Sequence, residues 1–201
     1  MLVGRDRVAF DAASVRDDVD DEAVGNDEWA WPEGDHLDTL EVRGLRAHHA
    51  STGRGIDDAT FALRRGTVTV VAGRVGSGKT TLLRAVLGLM PRLGGEVRWN
   101  GAIVAHLDRV LVPPRSAYVP QVPRLFSETL RENVRLGATV GEDVLVGAVR
   151  DAILDADVAT LDRGLDTLVG PRGVRLSGGQ MQRAATARAL VRRPDLLVVD
   201  D

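Results

Sequence analysis

The chain has 201 residues, 44% of them apolar, a formal net charge of -3 and no cysteine. That much apolar material suffices for one large or two small domains, and the missing cysteines exclude disulfides, thiolate metal sites and cysteine nucleophiles. No run approaches the ~18 consecutive apolar residues of a membrane helix, and Arg5 follows the start too soon for a signal peptide, so a soluble, cytoplasmic chain is expected.

Charge is unevenly spread. Residues 1–38 hold twelve acids, from Asp6 to Asp38, against Arg5, Arg7 and Arg16, so an acidic arm precedes a mildly basic body. A solvated linker is the simplest reading of that arm. Of 26 basic residues 25 are arginines, and the one lysine, Lys79, lies within GRVGSGKTT. An ammonium is a compact point charge that fits a backbone cradle, where a planar guanidinium fork does not. The exception points to a phosphate site.

In chain order, TLEVRGL (39–45) and ATFAL (59–63) read as strands separated by a Gly-containing loop. TVTVVAG (67–73) is β-rich and runs into glycines, and a helical pattern of Leu82, Leu83, Val86, Leu87 and Met90 follows, ended by Pro91. EVRW (96–99) and SAYVP (116–120) are further strands, with NG and PP turn signals between them. From residue 121 helical patterns take over. Thr129 and Glu132 have capping-box spacing, and Leu145, Val149, Ala152, Ile153 and Ala156 form one helical face. Residues 177–193 begin small, end in arginines before Pro194 and read as a helix, after which DLLVVD returns to a buried strand.

Gly73, Arg74, Val75, Gly76, Ser77, Gly78, Lys79 and Thr80, followed by Thr81, match a phosphate-binding loop placed between an apolar strand and a helix. Glycines let backbone N–H groups turn inward around a β-phosphate, and the helix start adds its positive dipole end. Lys79 bridges β- and γ-phosphates, and Thr80 offers its hydroxyl to Mg2+. Asp200 ends an apolar strand, as does the acid that holds Mg2+ in phosphate-loop enzymes; taken without the upstream loop, a surface carboxylate is the better reading.

Leu176, Ser177, Gly178, Gly179 and Gln180 place a hydroxyl and two side-chain-free residues at a second helix start, 98 residues after Lys79. With this motif the sequence resembles, over about residues 39–201, the nucleotide-binding domains of ABC transporters, whose signature is LSGGQ. The resemblance implies an α/β fold: a P-loop NTPase three-layer core with an N-terminal antiparallel β subdomain and an inserted α-helical subdomain. The expected division is an acidic linker at 1–38, the ATP-binding core and β subdomain at 39–120, the helical subdomain at 121–186, and a return to the core at 187–201. ATP and Mg2+ are the implied ligands. Ser177, Gly178, Gly179 and Gln180 would reach the γ-phosphate of a partner's ATP across a head-to-tail dimer with a second ABC nucleotide-binding domain. Gln121 would touch Mg2+ and the attacking water and sense the transmembrane domain; read locally it is a polar residue after a strand. His49, in RAHHAS, matches the place of the ring on which adenine stacks, and reads equally as an exposed loop histidine.

LFSETLRENV (125–134) and TLVGPRG (167–173) resemble an exporter's helical subdomain and its membrane-domain contact loop, and the segment at 7–18 resembles the piece after an exporter's last membrane helix. The competing class, the ABC-type ATPase heads of DNA-repair or chromosome-organising machines, carries long coiled coils for which 98 residues leave no room. No nucleic-acid partner is expected, and the place of work is the cytoplasmic face of a membrane. Where the family has a catalytic glutamate, this chain has Asp201, one methylene shorter and a weak replacement. The family's switch histidine and final strands lie beyond that position, so a fragment is expected, one that alone would not turn over ATP; a non-functional remnant is the other reading. It resembles the subunit of a heterodimeric exporter that has a weakened acid and an intact signature.

Overall fold

The computed structural model describes residues 36–200, which form two compact units, one ending at Asp108 and one beginning at Arg109. The acidic arm up to residue 35, the 7–18 segment and Asp201 lie outside the described residues.

The first unit is built on a four-stranded antiparallel sheet of order β2-β1-β3-β4, with β1 Thr39–His48, β2 Gly55–Arg64, β3 Gly94–Trp99 and β4 Ala102–Ile103. The buried positions of β1 are Leu40 and Val42, then Leu45 and Ala47. The change of parity coincides with a register shift between Val42 and Leu45, where Gly44 adopts φ +58°. One extra residue in a bulge moves later side chains to the other face, and here it keeps apolar groups inward. Leu40 and Val42 sit opposite Trp99 and Val97 on β3. Asn100 and Gly101, both with positive φ, close the β3–β4 hairpin as the NG signal predicts. The Asn100 amide oxygen also accepts from the N–H groups of Asp38 and Thr39, which anchors the start of β1.

Helix α1, Lys79–Val86, packs on β1 and β2 through Thr81, Leu82, Ala85 and Val86. It stops earlier than the sequence pattern suggests. Gly88 takes φ +69°, its N–H donates to Ala85 O, and Leu89 N–H donates to Arg84 O. This left-handed glycine cap satisfies the last carbonyls, so Gly88 ends the helix three residues before Pro91, and Met90 lies outside it.

Residues 67–73 depart from expectation. They form no strand, and Val68 and Val70 are 92% and 80% exposed. After β2 the chain turns through Gly66 at φ +71° and leaves the antiparallel sheet. A β-rich sequence becomes a strand only where another backbone pairs with it.

The one-turn helix α2, Leu107–Val110, spans the division between units. In the second unit β5 Ser116–Val119 and β6 Leu196–Val199 pair in parallel, Ser116 opposite Leu196 through Val119 opposite Val199. Around them lie α3 Leu130–Arg135, α4 Glu142–Asp151, α5 Asp155–Ala159, a 3-10 turn at Gly164–Asp166 and α6 Gly178–Leu190. Small residues let α6 serve two cores. Ala185 and Ala189 pack on Ala117 and Val119, while Ala184 and Ala187 join Leu130, Val134, Leu145 and Val149 in the helical cluster. Arg131 ties that cluster's rim together by donating to Asp166 and Glu142.

Two local expectations are corrected in this unit. The face written through Ile153 and Ala156 ends early, because Ile153 adopts φ +56° and is 72% exposed while Leu154 takes the core position. At α3 half of the expected capping box forms: Thr129 Oγ1 accepts from Glu132 N–H, whereas the Glu132 carboxylate lies 3.8 Å from Arg135. β6 is thinly covered, as the expectation of a fragment implies, with Leu196 buried and Leu197 and Val199 exposed.

Candidate functional site

The candidate phosphate-binding loop runs from Gly73 into α1. Gly76 and Gly78 have φ +80° and +94°, conformations that side chains rarely tolerate, and Gly78 is the residue preceding the first helical turn. A Cβ on Gly78 would stand 2.9 Å from Ile56 Cγ2 and 3.1 Å from Gly55 O, so the loop is pressed against the start of β2. Lys79 Nζ donates to Gly73 O at 2.9 Å and Arg74 O at 3.0 Å, which folds the ammonium back over the loop. Ser77 Oγ is buried and has no hydrogen-bond partner. Buried hydroxyls are normally satisfied, so an orphan at this point marks a place for an outside acceptor. An α-helix start, a glycine-shaped backbone, an ammonium and an orphan hydroxyl together fit a polyphosphate. Among the described residues no three His, Asp or Glu side chains cluster as a metal cage. Mg2+ needs none when phosphates supply its other ligands.

His49 is brought to this loop. Its Nε2 lies 3.1 Å from the hydroxyl of Thr81, a buried residue of the first turn of α1. His49 is an exposed residue.

In the second unit, Asp200 and Gln121 both follow the carboxyl ends of the paired strands, Asp200 directly after β6 and Gln121 two residues after β5. Ligands of α/β sheets gather at that end. Asp200 is 4% exposed, its N–H extends the ladder to Val119 O, and its Oδ2 accepts from the hydroxyl of Tyr118 at 2.8 Å. Gln121 is exposed.

The signature starts α6 with a full capping box: Ser177 Oγ accepts from Gln180 N–H at 3.3 Å, and Gln180 Oε1 accepts from Ser177 N–H at 2.8 Å. The Gln180 amide also donates to Asp157, which Arg183 Nε holds at 2.6 Å. That guanidinium is the main reason the Asp157 carboxyl lies below its ordinary value, against an opposing effect of burial. A Cβ on Gly178 would meet nothing within 4 Å, whereas one on Gly179 would stand 3.4 Å from the Arg183 guanidinium.

Residues unmarked in the sequence hold these elements together. Asn133 is buried, accepts from Phe126 N–H and from Arg188, and donates to the carbonyls of Phe126 and Thr129. Arg188 also donates to Asn133 O and Arg124 O, its charged form disfavoured by burial. Together they join the segment after Gln121 to the signature helix. Nothing in the local spacing of Asn133, Arg188, Tyr118 or Asp157 signals these roles.

Comparison with known proteins agrees with this geometry. A family model described as ABC transporter matches residues 56–201. The probable multidrug resistance ABC transporter ATP-binding/permease protein YheI of Bacillus subtilis (strain 168) is 37% identical over 153 residues, 76% of this chain and 26% of its own. The ATP-dependent lipid A-core flippase of Pseudomonas fluorescens (strain Pf0-1) is 38% identical over 166 residues, 81% of this chain and 28% of its own. The chain thus spans less than a third of the length of the curated relatives it matches. A solved bacterial Atm1-family ABC exporter with ATP bound superposes with a TM-score of 0.72 at 27% identity, over 82% of this chain and 29% of that one. With its phosphate loop, signature helix and α/β units, the chain belongs to the ABC transporter family.

Proposed function

We propose that the chain is the ATP-binding domain of an exporter-type ABC transporter, in which ATP binding and hydrolysis drive a solute across a membrane. The observation that carries this reading is the loop at residues 73–81, where Lys79, the left-handed glycines and the unpartnered Ser77 hydroxyl converge at the start of α1. Lys79 exchanges its carbonyl partners for phosphate oxygens, the N–H groups of the loop point at the β-phosphate, and Ser77 gains an acceptor. His49, steadied by Thr81, stacks on the adenine. Thr80, Asp200 and Gln121 serve Mg2+, which neutralises phosphate charge when bound. Gln121 also orients the attacking water.

Ser177 to Gln180 present a rigid helix start to the γ-phosphate held by a second nucleotide-binding domain. Phe126 and Leu136 are exposed and line one groove, and the nearby backbone pairing of Thr129 with Leu168 places another exposed apolar side chain beside that segment. This surface supports contact with a transmembrane domain. Among the described residues no helix is long and apolar enough to cross a membrane.

Asp201 stands in the place of the water-polarising acid and is one methylene short. A displacement of order 1 Å can cost ~100-fold in rate, which favours pairing with a different subunit whose acid is intact. Thermal unfolding with and without Mg-ATP tests the core of the proposal: nucleotide at 100 times its Kd adds about 2.7 kcal/mol, and Lys79→Ala abolishes the shift. No shift with the unsubstituted chain overturns it. In an assembled transporter, turnover lost on Ser177→Arg but kept on Asp201→Asn supports the heterodimer, and the reverse refutes it.

A further inference from the structure

Tyr118 is the only tyrosine of the chain, and its position on β5 has a consequence for Asp200. Tyr118 lies opposite Val198 in the parallel pair. Side chains alternate along a strand, so Tyr118 shares a sheet face with residues 198 and 200. Asp200 is the diagonal neighbour on that face, about 7–8 Å away between Cα atoms, a gap a phenol spans and a shorter donor does not. The hydroxyl arrives 2.8 Å from Asp200 Oδ2. Asp200 is nearly fully buried and its backbone N–H is fixed to Val119 O, so one strand holds both its backbone and its carboxylate.

A carboxylate offers about four lone-pair directions on two oxygens. A phenol donating to Oδ2 takes one of these directions and sets the plane of the group. Outer partners of this kind orient a ligand and tune its affinity for a cation. Resting on the nucleotide-binding role proposed above, we propose that Tyr118 is a positioning residue. Its hydroxyl holds the Asp200 carboxylate in the orientation that takes the divalent cation of the bound nucleotide, and so sets the cation requirement of binding while leaving affinity for the metal-free nucleotide alone. Removal of the hydroxyl alone, in Tyr118→Phe, keeps the ring and its packing.

The test is equilibrium binding of ATP to the full chain, once in EDTA and once across a Mn2+ titration at fixed ATP, with the bound Mn2+ followed by electron spin resonance. Tyr118→Phe is expected to shift the Mn2+ midpoint upward about tenfold with ATP binding in EDTA unchanged. In an Asp200→Asn background the same replacement is expected to add nothing. An unchanged Mn2+ midpoint overturns the proposal while leaving the nucleotide reading intact. Equal losses in EDTA and Mn2+, or loss of cooperative unfolding, make the hydroxyl merely structural and also overturn it. Absence of ATP binding by the unsubstituted chain under both conditions removes both readings together.

Discussion

Ser177 and Gln180 bond each other twice, side chain to backbone in both directions, at the start of α6. Two otherwise unpaired N–H groups of the helix start are thereby satisfied within the signature itself. The glutamine's first role in this fold is thus to hold the helix end in shape. Ser177→Ala is expected to destabilise the chain by about 1 kcal/mol, measured by urea unfolding. Gln180→Ala, which loses the Asp157 contact as well, should cost at least as much. Unchanged midpoints in both would show that the box contributes nothing.

The clamp beneath the signature makes stability depend on pH. Arg183, with help from Gln180 and against burial, holds the Asp157 carboxyl below its ordinary value. A depressed carboxyl stabilises the fold above the unfolded-state value of about 3.9, and that stabilisation is lost as pH falls through the folded value. Asp157→Asn should therefore lower the thermal midpoint near neutral pH, with the gap to the unsubstituted chain closing below about pH 4. A gap constant with pH would rule this out.

Two glycines of the phosphate loop should respond differently to one added methyl. Gly76→Ala meets nothing within 4 Å and bears only the left-handed backbone cost of about 1–2 kcal/mol. Gly78→Ala bears the same cost and also presses on Gly55 O and Ile56. Chemical denaturation should rank Gly78→Ala as the more destabilising, and its ATP affinity should fall further. The opposite order would mean the loop is not braced against β2.

His49 offers a smaller platform than a phenol. Base stacking on an aromatic contributes about 1–3 kcal/mol, so His49→Ala should weaken ATP binding at least ~5-fold, and His49→Tyr should tighten it. Thr81→Val, which keeps shape and removes the 3.1 Å contact, should fall between. Calorimetric titration with ATP decides, and equal affinity in all three variants would show that the ring does not touch the base.

The elements legible without a structure are those whose chemistry is local. Glycines at 76 and 78 are needed because the loop requires positive φ, a lone lysine follows them because a point charge fits there, and Ser177 starts a helix because its hydroxyl caps one. Strand alternation likewise shows in β1, although its change of parity depends on a bulge at Gly44 that only pairing with β2 makes visible. The sequence misreads 67–73 and the end of α4 for the opposite reason: apolar character there is real, but among the described residues no partner backbone pairs with the first, and a left-handed Ile153 diverts the second.

By itself, then, the sequence determined the glycine-rich loop and helix-start motifs and hence the family, because each depends on stereochemistry within a few residues. Tertiary structure alone decided which side chains support them. Tyr118 meets Asp200 across 82 residues, Arg188 meets Asn133 across 55, and His49 meets Thr81 across 32. Such pairs are set by strand register and by how helices pack on sheets. No spacing along the chain encodes them until it has folded.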